Sequence, residues 1–428
     1  MKSYRLLILL FIVPISLMSQ NRLSVEEAVR IGLENNYNIQ INKVDVDKAV
    51  LLNSWGQAGR FPQLSFIGKA TNRDLFTPKV SHENNVSAGV NLSWVLFDGF
   101  RVNITKSKLA DLQNLSEGNA MVVIENTVQS IILAYYQLLL NQSEREVLKT
   151  IELLSYDRMK YVESQREVGT AVKFDFLQAK NNYLEDKAKY LRMQMTSKTL
   201  QRNLAFLIGD SVQVNYDLTA SLDAPTQTYF LPDLERKMRR SNRNLMVQYL
   251  SLAVVEDDYK LSKSGDYPSI ALNSNYNLGY GWADASGQWN GASVSNLYVE
   301  MGVRYNLFNG GIQKRAKKIA KYNVKVQELR VESIWIGLKN QLLNQHAKYL
   351  LEKELLFVAE EAEESALLNL KLAKERYDVG AINSFNYRDV QIVYQNAALA
   401  KLRSKYRMIE SNLGLVKLTG GLLSEWDK

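Results

Sequence analysis

Residues 96 to 209 of this chain return in order 211 positions later, and no other feature narrows its fold so far. Leu96, Phe97, Gly99, Val168, Gly169, Phe174, Tyr183, Leu191, Arg192, Leu204, Leu207 and Gly209 recur as Leu307, Phe308, Gly310, Val379, Gly380, Phe385, Tyr394, Leu402, Arg403, Leu415, Leu418 and Gly420. Upstream, Asn38 and Pro62 recur as Asn244 and Pro268, 206 positions on. A chain that carries one pattern twice folds as two copies of one supersecondary unit.

Most of each copy reads as helix. From Phe100 to Val168, the residues Val128, Ile131, Ile132, Tyr135, Leu138 and Leu139, then Val147, Leu148, Ile151 and Leu154, fall on one stripe. The chain has six prolines, none after Pro268, so little interrupts such helices. A helix over 100–168 reaches ~100 Å at 1.5 Å per residue. Val168-Gly169 and Val379-Gly380 then break the pattern, and it restarts a few residues on. Residues 168–173 and 379–384 are therefore predicted hairpin tips. A shorter helix follows each tip, running to 208 in the first copy. Leu23 to Gly59, ahead of the first long helix, opens with Ser24 three residues before Glu27, a capping-box spacing, and Asn35-Asn36 marks a break within it.

Between these helices the period changes to two. Val86, Ala88, Val90, Leu92, Trp94 and Leu96 alternate with small and polar residues, and Leu64 to Thr71 is a weaker partner, with the polar stretch Asn72 to Asn85 as the loop between them. In the second copy Ile270, Leu272, Tyr276, Leu278, Tyr280 and Trp282 pair in the same way with Leu297, Val299, Met301, Val303, Tyr305 and Leu307, around a longer loop at Ala283 to Asn296. Each strand has one apolar and one polar face, and the pattern leaves no helix to cover the apolar one. Strands of about ten residues with Trp and Tyr near their ends suit an outer-membrane barrel.

The N-terminus reads as a secretory signal: Lys2 and Arg5, the apolar run Leu6 to Leu17, then Ser19 and Gln20, with cleavage expected near Ser19. That run is too short for a membrane anchor, which takes about 20 residues. No later stretch is a transmembrane helix. Without cysteine there is no disulfide, thiolate metal site or lipid-bearing cysteine. The net charge of +8 is spread over many helical turns and reads as solvated surface, with no nucleic-acid partner. The basic cluster Lys314, Arg315, Lys317 and Lys318, with Arg101, Lys106 and Lys108, is read in the same way.

These signals divide the chain into a signal peptide (1–19), a first repeat (20–209), an equatorial connector (210–232), a second repeat (233–420) and a C-terminal equatorial tail (421–428). The strand pairs are 64–71 with 86–97 and 270–282 with 297–308, and the long helices are 100–168 and 311–379. Four strands cannot close a barrel, and an open edge in lipid costs several kcal/mol per unpaired backbone group. The chain must therefore oligomerise: two copies give eight strands and three give twelve.

In this order, with Leu-Phe-Asp-Gly (96–99) and Leu-Phe-Asn-Gly (307–310) where strand returns to helix, and Gln-Arg-Glu-Val-Gly (165–169) and Arg-Tyr-Asp-Val-Gly (376–380) at the tips, the chain resembles the TolC-type outer-membrane efflux proteins. The resemblance covers essentially the whole mature chain. It implies a mainly α fold with a transmembrane β-barrel: a homotrimer in which four strands per chain make a twelve-stranded barrel, continued by a periplasmic α-barrel of duplicated long-helix hairpins. It implies an exit duct, in the outer membrane and its lipid, for an inner-membrane pump joined through a periplasmic adaptor (a membrane fusion protein), in tripartite efflux or type I secretion. The adaptor would dock on Val168, Gly169, Thr170, Val379, Gly380 and Ala381. The periplasmic gate would use Asp175, Tyr377, Asn386 and Asp389. Two positions depart from the family pattern: the latch arginine falls at Ile382, and one of the two constriction acids at Asn386. Cargo would be chosen by the pump, so drugs, metal ions, dyes and polypeptides could share one duct.

A different class, a non-conducting coiled-coil spacer or surface stalk, suits the helices but has no use for four strands with one apolar face each. An enzyme finds little support. His82, expected in a loop, and His346, mid-helix, show no metal-ligand spacing, phosphate loops are absent, and no catalytic, cofactor or metal residue is assigned.

Overall fold

The structure, a computed structural model, describes residues 21–76, 81–211, 215–225, 227–284 and 289–423. The predicted signal peptide and residues 424–428 of the predicted tail lie outside the described residues. In chain order the first elements are β1 (Asn21–Leu23), α1 (Val25–Asn35), α2 (Tyr37–Leu52), β2 (Gln63–Leu75), β3 (Ser81–Asp98), α3 (Arg101–Glu167) and α4 (Lys173–Ile208). There follow β4 (Tyr216–Leu218), α5 (Leu231–Ser241), α6 (Arg243–Ser264), β5 (Ser269–Asp284), β6 (Trp289–Arg304), α7 (Ile312–Asp378) and α8 (Ser384–Leu418). The chain forms two compact units. A tip unit takes residues up to Asn36, Thr127–Thr226 and Tyr349–Asn412, and a sheet unit takes Tyr37–Asn126, Gln227–Lys348 and Leu413 onward.

In the sheet unit the four long strands form one antiparallel sheet in the order β2-β3-β5-β6, joining the two repeats through β3 and β5. The register carries the period-two pattern across the sheet. Phe66 lies opposite Val90, Val90 opposite Tyr276 and Tyr276 opposite Leu297, so these four share one face. All four are exposed. On the other face Ser93 lies opposite Asn273, and the two side chains hydrogen-bond at 3.1 Å. Among the described residues, β2 and β6 each have one unpaired edge.

Three boundaries differ from the sequence reading. The polar stretch 72–85 is mostly strand: Asn72 pairs with Asn84, Arg73 with Glu83 and Asp74 with His82. Ladder hydrogen bonds need no apolar side chains, and His82 Nδ1 lies 2.7 Å from Asp74 Oδ1, so the histidine is in β3 and not in a loop. Similarly, most of 283–296 belongs to β5 and β6, and residues 285–288 lie outside the described residues. Conversely, Tyr305 to Phe308 are not strand. Their partners would have to precede Ser269, which pairs with Arg304, and there stands Pro268, which has no N–H to donate.

In the tip unit the predicted stripe is the core. Val128, Ile131, Ile132, Tyr135, Leu138, Leu148 and Ile151 are all buried. The connector holds a strand the sequence did not announce: β4 pairs in parallel with β1. The Tyr135 hydroxyl ties both, donating to Leu23 O at 2.8 Å and accepting from Ala220 N at 3.2 Å.

Each unit contains one copy of the same helix junction. In the tip unit, Asn36 ends α1 and donates from Nδ2 to Leu207 O at 2.7 Å. In the sheet unit, Asn242 separates α5 from α6, accepts from Leu245 N at 3.0 Å and donates to Leu418 O at 3.0 Å. The returning helices end on Gly209 and Gly420 at φ +74 and +68. A Cβ at Gly209 would meet the Asn35 carbonyl oxygen, and one at Gly420 the Ser241 carbonyl oxygen, so both need glycine for conformation and for space. Expected Ser24 capping is also present, with Glu27 N donating to Ser24 Oγ at 3.1 Å. Two of the basic residues near the strands are held by carboxylates, Lys317 by Asp266 at 2.7 Å and Lys108 by Asp258 at 2.5 Å.

Candidate functional site: the paired tips and the charges beneath them

Both tips have the same hydrogen-bonded form. In the first, Gly169 N donates to Arg166 O at 3.1 Å and Thr170 N to Gln165 O at 2.8 Å; in the second, Gly380 N donates to Tyr377 O at 3.0 Å and Ala381 N to Arg376 O at 2.8 Å. This is the Schellman closure of a helix end, which needs a left-handed residue, and the glycines supply φ +80 and +74. Unlike Gly209 and Gly420, a Cβ on either tip glycine would meet nothing within 4 Å. The tips are apolar outside: Val168 is 73% exposed and Val379 80%, with Val172 and Phe174 exposed as well. Phe174 stacks on Phe385 at 6.4 Å, so the two hairpins of one chain present their tips side by side.

The predicted gate residues divide into two groups. Asp175 is half-buried in the first turn of α4, where the helix dipole favours a carboxylate. Asn386 and Asp389 lie on α8, exposed and three residues apart, with Asn383 Oδ1 accepting from Asn386 N at 2.9 Å. Tyr377 instead belongs to a core. It is buried with Leu370, Ala373 and Tyr387, and Ile382 packs against that cluster. Its ring stacks on Tyr387 at 4.8 Å and meets Tyr161 edge-on at 5.3 Å. Its hydroxyl, near Ser384, makes no hydrogen bond of good geometry, so within one chain it is not joined to Asp175. Burial raises its pKa.

Beneath the tips lies a charged cluster that the sequence reading did not assign. Asp186 on α4 is 1% exposed and takes both forks of Arg388 on α8, Oδ2 from Nη1 at 2.6 Å and Oδ1 from Nη2 at 2.9 Å. Ser155 Oγ on α3 donates to the same carboxylate. Burial alone would raise the Asp186 pKa, but the hydrogen bonds from Arg388 and Ser155 outweigh it and hold the group below its ordinary range. Arg158, one turn along α3 from Ser155, is 2% exposed; among the described residues its Nη1 makes a long bond to Ser384 O at 3.5 Å, and Nε and Nη2 have no hydrogen-bond partner. Burial and the neighbouring Arg388 lower its pKa to about 10.

Among the described residues no group of three or more His, Cys, Asp or Glu could hold a metal ion, and no helix is long and apolar enough to cross a membrane. What the chain offers is one exposed apolar sheet face and two apolar tips. A family model described as "Outer membrane efflux protein" matches residues 29–210 and 234–421, nearly the whole chain and both repeats. The chain belongs to the outer membrane efflux protein family. As a family member it is an outer-membrane protein with a long periplasmic helical portion. It is 22% identical to the outer membrane protein TolC of Vibrio cholerae over 86% of this chain and 83% of that protein. It is 20% identical to TtgC of Pseudomonas putida, named a toluene efflux pump outer membrane protein, over 93% and 83%. The fold is that of the Campylobacter jejuni CmeC outer membrane channel, with a TM-score of 0.74, 17% identity, and coverage of 93% of this chain and 85% of that one.

Proposed function

We propose that this protein is the outer-membrane channel of a tripartite efflux or type I secretion system, exporting substrates that an inner-membrane pump delivers through a periplasmic adaptor. The observation that carries this reading is the sheet. Four strands with one mainly apolar face end in two edges unpaired among the described residues, and in lipid such edges are tolerable only if other copies pair with them. Three copies would close a twelve-stranded barrel, with β2 of one pairing with β6 of the next. The polar face, with Asn91, Ser93, Asn273 and Asn275, then lines the lumen.

The tips are the adaptor's docking surface, through Val168, Gly169, Thr170, Val379, Gly380 and Ala381. Their apolar exposure supports this, because Val168, Val172, Phe174, Val379 and Phe385 are gathered at the paired tips and not scattered singly. Replacing Gly380 by tryptophan should abolish pump-dependent export while leaving the oligomer assembled, because a side chain there has space and costs about 1–2 kcal/mol for its left-handed backbone. Normal export of a pump substrate by this variant would remove the tip from the docking surface.

On this reading the periplasmic gate uses Asp175, Tyr377, Asn386 and Asp389, with Tyr377 acting from the core that supports the second tip. Asp389 is the exposed acid of the set on α8, and three copies would form a carboxylate ring favouring cations in the constriction. Asp389→Ala should raise single-channel conductance or weaken block by multivalent cations. Unchanged conductance and selectivity would take Asp389 out of the gate.

A further inference from the structure

The charged cluster beneath the tips is unbalanced. Arg158 and Arg388 are both nearly inaccessible, and Asp186, the carboxylate beside them, is already held by Arg388, Ser155 and, at 3.4 Å, Lys189. Arg158 lies near Tyr377 and Tyr387, which bring it no carboxylate, and Arg388 opposes its charge. A buried charge with a full set of hydrogen bonds holds elements together, whereas one without them favours any rearrangement that lets water reach it. The two kinds stand side by side here. Asp186 and Arg388 join the first hairpin to the second, and Arg158 lies at the same place with Nε and Nη2 unpartnered.

We propose that Asp186 and Arg388 form a clasp between the two hairpins of one chain, and that Arg158 is an opening force built in against it. Separating α8 from α3 and α4 breaks the clasp but hydrates Arg158, so part of the cost of opening is returned. The tips are therefore poised, and a modest contact from outside can tip them. The proposal rests on reading the tips as the gate, and it deepens that reading by naming positioning residues that set the balance between closed and open. None of the three is one of the predicted gate residues, and Arg388 stands six residues beyond Ile382, where the family pattern would place its latch cation.

The two arginines should act in opposite directions, which a merely structural role for both would not produce. In the purified full-length protein, without adaptor or pump, Arg388→Met should raise time-averaged conductance in planar bilayers, and Arg158→Met should lower it below the unmodified level. Trypsin reads the same balance without conduction: cleavage after Lys173 and Arg376, both exposed beside the tips, should speed up about tenfold or more in Arg388→Met, from the loss of a buried pair, and slow in Arg158→Met. Shifts in the same direction, or no shift in either, would overturn the proposal. So would failure to assemble of both Arg158→Met and the polar alternative Arg158→Gln, because Arg158 would then be required for the fold. If the unmodified protein does not conduct, the channel reading fails separately, and the trypsin rates still decide whether the clasp and its opposing charge exist.

Discussion

Asp186→Ala should destabilise the tip unit by about 3–5 kcal/mol, the cost of leaving a buried charge without its partner. Asp186 is 1% exposed and Arg388 8%, so solvent does not screen the pair. The substitution strands Arg388 as well as Arg158 and removes the acceptor of Ser155. The double variant Asp186→Ala, Arg388→Met should recover much of the loss, because it removes the stranded charge and not only its partner. Proteolysis of the tips under native conditions is the measurement, since a local loss appears there before the whole molecule unfolds. A single variant no more susceptible than the unmodified protein would show that the pair contributes little.

Gly420→Val should be far more damaging than Gly380→Val. A β-branched residue at φ +68 costs about 1–2 kcal/mol, and its Cβ falls on the Ser241 carbonyl, adding about 1–3 kcal/mol of overpacking against backbone that cannot give. Displacing that carbonyl also disturbs the junction where Asn242 bonds to Leu418 O. Gly380→Val bears the same backbone cost with no collision. Heat-induced dissociation of the two variants, compared side by side, should therefore show a much lower midpoint for Gly420→Val. Equal midpoints would mean that the junction yields freely.

The repeat explains both what the sequence revealed and what it hid. Features the two copies share were legible: the tips at Gly169 and Gly380, the recurring Gly209 and Gly420, and the four strands, whereas the helix break was read at Asn35-Asn36 and not at its counterpart Asn242. Strand ends were not, because the ladder continues through polar pairs such as Arg73 with Glu83 and stops where Pro268 lacks a donor. The clasp was hidden for a different reason. Its residues break the repeat: at the 211-position offset Arg388 stands against Leu177, Asp186 against Ala397, Arg158 against Asn369 and Ser155 against Ala366. Charge in one copy where the other has an apolar or neutral residue was the available signal, and it marks where the two hairpins meet as unlike partners.

The central claim is that the apolar sheet face and its unpaired edges belong to a pore shared among copies. The most direct measurement is single-channel recording on the purified mature protein reconstituted in planar bilayers. Discrete, cation-favouring conductance steps from a detergent-stable oligomer are the predicted result. Protein that inserts, remains assembled and carries no current across the bilayer would contradict it.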